Sequence, residues 1–278
     1  MRLLIKKYAP PFLWNIMRTI RRRILARNYL KEVRSFQRHV VSHTYGGFPL
    51  QVAIGDPVGM EWYDKDWPLL PELELLSRHK LKPGARVFDI GAHQGVVAMM
   101  ISRLVTASGK VVALDPNPTN IELATENCRL NGIDNVTLMQ AAAGNCQGSV
   151  RFGHHLNDLI SQDGIGYDVD VLTIDFLTSK LGRPDVVFVD VEGFEGEVLK
   201  GASVTLDQCV CDWFVEVHMN GSLQGFGWTC EQILAFFPTE RYSRFIASEE
   251  EGEFVSIESA PHLLRNRFFL IAIDNRPV

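Results

Sequence analysis

Three acids and a histidine stand at the ends of two apolar runs in this 278-residue chain. Residues 186–189, Val-Val-Phe-Val, lead into Asp190-Val191-Glu192-Gly193-Phe194-Glu195, and residues 213–217 carry Glu216 and end beside His218. Short, wholly apolar runs of this kind are the signature of strands buried on both faces of a parallel sheet, whose carboxyl ends line the ligand crevice. Asp190, Glu192, Glu216 and His218 therefore converge on one place. A histidine there can take a proton from a reacting group, which makes His218 the candidate base. Asp190 and Glu192 can orient a hydroxyl or hold a divalent cation, since hard cations prefer carboxylate oxygens. A plainer reading stays open, in which His218 only braces its strand end against a neighbouring carboxylate.

A second constellation precedes this one. Residues 86–95, Arg-Val-Phe-Asp-Ile-Gly-Ala-His-Gln-Gly, read as a short buried strand, a tight turn and the start of a helix whose apolar face runs through Val97, Met100, Ile101 and Leu104. Gly91 and Gly95 allow positive φ and leave the backbone open to a ligand, with Ala92 and His93 between them. The spacing differs from the Gly-x-Gly-x-x-Gly of dinucleotide sites, and Asp89 stands two positions before the first glycine. Asp89 can accept bonds from an ammonium group, so the turn favours S-adenosylmethionine over NAD. Asp115, 24 residues after Gly91 at the end of the next apolar run, is placed to accept both ribose hydroxyls of an adenosyl ligand. Pro116 and Asn117 follow it, and Ala141 and Ala142, at the end of a third strand, would lie beside the adenine. Taken alone, the turn fits any βα connection and Asp115 fits a helix cap.

The elements that must position these residues alternate between strand and helix, which predicts an α/β fold of Rossmann-like class I methyltransferase type. Its sheet is mostly parallel, and the strands at 244–247 and 267–273 close it as an antiparallel pair. The chain divides into a basic amphipathic extension over residues 1–44, a segment over 45–84 that caps the sheet and leads into the core, and the Rossmann-like domain over 85–278. Trp62, Tyr63 and Trp67 in the cap either close over the cofactor or pin the cap to the core, and Phe226 and Trp228 either touch substrate or anchor a loop. Residues 145–152 alternate like an added edge strand. The paired His154 and His155 fall in a polar loop with no acid or cysteine at ligand spacing, which reads as solvent exposure.

Charge is uneven. Residues 1–34 hold ten of the chain's 28 Lys and Arg but only one of its 33 acids. The acidic remainder is a poor match for nucleic acid, so none is expected as a partner. The basic start is too interrupted by charge to span a bilayer and lacks a cleavable leader pattern. A helix over about residues 13–30 fits either an anionic membrane surface or a packing partner. Five scattered cysteines without Cys-x-x-Cys spacing fit a reduced, cytoplasmic protein.

Taken together, the chain resembles FkbM-type S-adenosylmethionine-dependent methyltransferases. The resemblance rests on Glu61-Trp62-Tyr63, Leu81-Lys82-Pro83-Gly84, residues 89–95, Asp115-Pro116-Asn117-Pro118, Asn131-Gly132, residues 190–195 and Glu216-Val217-His218. Residues 190–195 are the specific part, because the glycine turn alone occurs across many methyltransferases. His93 stands where the family often has asparagine and Asp115 where it usually has glutamate. The resemblance implies S-adenosylmethionine as cofactor and O-methylation of a small-molecule or glycan hydroxyl, often on sugars or secondary metabolites. Two other readings are an NAD-dependent oxidoreductase, which the glycine spacing disfavours, and a non-catalytic methyltransferase-like module that binds a partner through its basic start.

Overall fold

The structure is a computed structural model that describes residues 31–33, 35–152, 166–219, 222–248 and 252–277. The basic stretch over residues 1–30, His154 and His155, and the acidic residues 249–251 lie outside the described residues.

The described chain opens with a hairpin, β1 (His39–Tyr45) and β2 (Phe48–Ile54), turned at Gly46 and Gly47, both at positive φ. A boundary between residues 44 and 45 cuts through this hairpin, so the extension and the cap share an element there. Two short helices follow, Pro57–Tyr63 and Pro71–Ser77, each begun by the proline that its first turn tolerates. Then come β3 (Arg86–Ile90), the helix Val96–Val105, β4 (Lys110–Asp115), the helix Pro118–Leu130 and β5 (Val136–Gln140). Next, β6 (Ala142–Ala143), β7 (Gly148–Phe152) and β8 (Tyr167–Leu172) form a small separate sheet ordered β6-β8-β7. The chain re-enters the main sheet as β9 (Val186–Val189) and β10 (Asp212–His218), with three short helices before and between them. It closes with the helix Cys230–Ala235, β11 (Tyr242–Ser248), β12 (Val255–Ser256) and β13 (Arg267–Asp274).

The main sheet is ordered β12-β11-β13-β10-β9-β3-β4-β5. Pairings from β10 through β5 are parallel, and β13 runs antiparallel to both β10 and β11. This is the Rossmann-like class I methyltransferase arrangement expected from the sequence, with the antiparallel strand near its end. Strand order reverses beside β3, and that switch point opens the crevice.

The pleat sorts each apolar run between two cores. Phe88, Ile90, Val112, Leu114, Val187, Val189, Trp213 and Val215 pack on one face, whereas Val87, Val111, Ala113, Val186, Phe188 and Phe214 pack on the other. Register Asp89↔Phe188↔Phe214 puts Asp89 on that second face, and one pleat further up come Asp190 and Glu216. The cap covers the same face. Its hairpin is held by side-chain amides of the helix Pro118–Leu130: Asn127 accepts from Ala53 N and donates to Gln94 O, while Asn131 bonds both N and O of Gln51. At the opposite end of the sheet, Lys80 Nζ donates to the fully buried Asp212 at 2.7 Å, and Arg241 and Arg276 both reach Asp274. All five cysteines are free, and Cys209 and Cys211 are packed in the core. Among the described residues no helix is long and apolar enough to cross a membrane.

Candidate active site

At the end of β3 the chain turns through Gly91 (φ +96°), His93 (φ +49°) and Gly95 (φ +79°) before the helix Val96–Val105 begins. A Cβ on Gly91 would lie 1.8 Å from the carbonyl oxygen of Asp190, so only glycine fits where the two loops meet. Asp115, at the end of β4, holds this turn in place. Its Oδ2 accepts from His93 N at 2.8 Å, and its Oδ1 accepts from Asn117 N at 2.8 Å and from Asn120 Nδ2 at 3.0 Å. The helix cap is supplied by Asn117, whose side chain accepts from Thr119 N. Asp115 is thus a buried carboxylate that lines the cleft and braces the turn.

Behind the turn, Asp89 is 5 % exposed, and its Oδ2 has no hydrogen-bond partner. Burial pushes its carboxyl up to about 7. His93 packs at a tilt against the rings of Trp62 and Tyr63, and its Nδ1 is hydrogen-bonded with the Tyr63 hydroxyl at 2.8 Å. Its burial lowers it to about 4, so it stands neutral. Gln94, fully buried, ties the turn to the cap by donating to Asp56, which also caps the helix Pro57–Tyr63.

One open cleft of about 900 Å³, partly shared with solvent, joins the two constellations. Gly91, His93, Asp115, Pro116, Ala141 and Ala142 line one end. Asp190, Val191, Glu192, Phe194 and Phe226 line the other, with Trp62 and Phe152 at its walls. Of the residues assigned by sequence to the cofactor, Asp89, Ala92, Gly95 and Asn117 stand behind this surface. Of the cap aromatics, only Trp62 reaches the cleft. Trp67 packs on Tyr45 and Tyr63, and its Nε1 donates to Trp62 O. Trp228 is an anchor, with its Nε1 donating to Glu197.

His218 lies just behind Asp190 and Glu192, 2 % exposed. Its Nδ1 bonds Glu195 Oε1 at 2.7 Å, and the same oxygen accepts from Gly193 N at 2.9 Å. Its Nε2 has no hydrogen-bond partner, although Glu216, Glu192 and Asp190 stand 3.1, 3.5 and 3.9 Å away. Burial alone would lower this imidazole, but the bond to Glu195 and the nearby acids outweigh it and raise it to about 11. His218 itself does not line the cleft, which Asp190 and Glu192 face in front of it. Glu192 sits at φ +54°, an uncommon conformation for a side-chain-bearing residue, between Asp190 and Gly193 (φ +105°). Glu216 is also ion-paired with Arg267 on the neighbouring strand. Sequence reasoning gave Glu195 no role; its only signal is its place in the run over 190–195.

The family model for the methyltransferase FkbM domain matches residues 89–245, more than half of the chain. Among curated proteins, the ribosomal protein L11 methyltransferase of Caldanaerobacter subterraneus subsp. tengcongensis is 36% identical over 61 residues, 22% of this chain and 19% of that protein. The ubiquinone biosynthesis O-methyltransferase of Methylocella silvestris is 29% identical over 123 residues, 34% of this chain and 47% of that protein. The chain thus spans less than half the length of each. Among solved structures, that of methyltransferase FkbM from Methylobacillus flagellatus KT has 16% identity and a TM-score of 0.46, covering 68% of this chain and 43% of that one.

Proposed function

The chain belongs to the FkbM family of S-adenosylmethionine-dependent methyltransferases, and we propose that it methylates a hydroxyl oxygen of a sugar, glycan or small secondary metabolite. The observation that carries this reading is the single cleft in which the glycine turn and Asp115 adjoin Asp190 and Glu192. The residues present fit the cofactor. Gly91 offers bare backbone where a Cβ would collide, and Asp89 holds a buried oxygen without a partner behind it. Asp115 would take the ribose hydroxyls, Asp89 the ammonium group, and Ala141 and Ala142 the adenine face. When bound, S-adenosylmethionine supplies a sulfonium methyl already activated for transfer.

The protein's own task is to place an acceptor oxygen and remove its proton. Asp190 and Glu192, on the cleft surface, orient the hydroxyl and take that proton, while Phe194 and Phe226 pack against the acceptor's apolar parts. His218 stands behind the two acids, 3.5 Å from Glu192 and 3.9 Å from Asp190. The acceptor is a small molecule rather than nucleic acid, in keeping with the acidic body of the chain. Residues 1–34 add attachment to an anionic membrane or a partner, which liposome sedimentation of full-length and truncated protein at low and high salt tests.

Transfer of labelled methyl to a panel of sugars, glycans and hydroxylated metabolites tests the main reading, with the product's methyl located by NMR. An O-methyl product is expected, and Asp190→Asn should slow its formation by roughly 100-fold or more, the span usual for removing a general base. A product methylated on nitrogen or carbon would sink it.

A further inference from the structure

We propose that Asp190, Glu192 and His218 form a binding site for one divalent cation of the Mg²⁺ or Mn²⁺ type. Acids alone would not carry this, and the decisive group is the imidazole. His218 is 2 % exposed and its Nε2 has no hydrogen-bond partner; that nitrogen faces the two cleft acids, with Glu216, itself ion-paired to Arg267, beside it at 3.1 Å. Its other nitrogen is fixed by the fully buried Glu195 at 2.7 Å. A histidine held through one nitrogen by a carboxylate, with the other aimed at further oxygen donors, is the usual setting of a metal ligand.

Distances agree. One ligand atom from each of the three residues lies within 4.8 Å of the others. Nε2 is 3.5 Å from Glu192 Oε2 and 3.9 Å from Asp190 Oδ1. Donors about 2.1 Å from a common octahedral centre stand ~3.0 Å apart when adjacent, so the two carboxylates would draw in by roughly 0.5 to 1 Å to close on an ion. Neither contact is a hydrogen bond to Nε2.

The backbone serves the same arrangement. Glu195 Oε1 also accepts from Gly193 N, which locks the turn over 190–193 to the histidine that faces it. Glu195 is thus a positioning residue for Nε2. A cation here would displace the Nε2 proton to solvent, as metal binding to histidine requires. Three protein donors leave the cleft side of an octahedral ion open, where an acceptor oxygen would sit and be made more acidic. That role rests on the O-methylation reading, whereas the existence of the site does not.

Titration with Mn²⁺, following the paramagnetic signal of the free ion, tests the site without cofactor or acceptor. Wild-type protein should bind one Mn²⁺ per chain, competed by Mg²⁺. The double variant Asp190→Asn, Glu192→Gln should lose about 100-fold or more in affinity, and Glu195→Gln about 10-fold to 100-fold. Circular dichroism establishes that each variant is folded; the carboxylate variants are preferred because removing buried His218 endangers the fold. Undiminished free Mn²⁺ signal with wild type at millimolar ion, or wild-type affinity in the double variant, would overturn the site. Mn²⁺ binding without O-methyl transfer would count against the functional reading alone, and full transfer under chelator would count against the cation's catalytic role.

Discussion

Gly91 and Asp190 meet backbone to backbone: a Cβ on Gly91 would lie 1.8 Å from the Asp190 carbonyl oxygen. The turn assigned to the cofactor and the acid assigned to the acceptor are therefore one contact apart, and neither moves without the other. Gly91→Ala should destabilise the protein by about 3 kcal/mol or more, since it adds a steric overlap to a residue at φ +96°. Urea unfolding reads the loss. A variant within about 1 kcal/mol of wild type would mean that the two loops separate easily, contrary to this packing.

Asp115 does two jobs that substitution can separate. Asp115→Ala removes the acceptors of His93 N, Asn117 N and Asn120 Nδ2 as well as the ribose contact. It should lower S-adenosylmethionine affinity by about 100-fold or more and lower stability by roughly 2 kcal/mol. Asp115→Asn keeps the shape and one oxygen, so stability should change less while affinity still falls at least about tenfold. Calorimetric titration and thermal melting on the same samples distinguish the two effects. Unchanged affinity in both variants would remove Asp115 from the cofactor site.

Legibility in the sequence followed the range of the interactions. The strand, glycine turn and helix over residues 86–105 were readable because they are local, and the acids at 190, 192 and 216 because apolar runs end there. The hairpin strand His39–Tyr45 was not, since its exposed residues alternate weakly and its partner strand supplies the bonding. Of the small sheet β6-β8-β7, the strand Gly148–Phe152 was readable from its alternation, whereas β6 was not, being two residues long. Glu195 and His218 are 23 positions apart, and Lys80 and Asp212 are 132 apart. No periodicity announces such pairs, because the sheet and not the local chain brings them together. Register also hides the surroundings of His218: the sequence shows a strand-end histidine but not the four acids around its ring.

Asn127 makes the docking of the cap testable. Its fully buried amide serves Ala53 N and Gln94 O, one partner in the hairpin and one in the glycine turn. Asn127→Ala leaves both unsatisfied and should cost about 2 to 6 kcal/mol, at roughly 1 to 3 kcal/mol for each stranded group. Hydrogen exchange should show faster exchange at Ala53 and at the turn, with β9 and β10 unaffected. Uniform loosening of the whole sheet would contradict a local role.

Asp89 sets a pH dependence whose sign follows from its burial. Its carboxyl rises from the ordinary 3.8 to about 7 in the folded protein, so between those values the native state holds a proton that the unfolded chain has lost. The stabilisation from this group is complete below about pH 4 and is lost as pH rises toward 7, on the order of 4 kcal/mol in all. Asp89→Asn cannot ionise and should flatten the stability profile across that window by a similar amount. Cofactor binding runs the same linkage in reverse. An ammonium group beside Asp89 favours the carboxylate, so S-adenosylmethionine binding at pH 6 should release a proton from wild type and none from Asp89→Asn. Calorimetry in buffers of different ionisation enthalpy counts that proton. Equal proton release from the two proteins, or a stability profile that Asp89→Asn leaves unchanged, would show that Asp89 neither carries the proton nor meets the ammonium group.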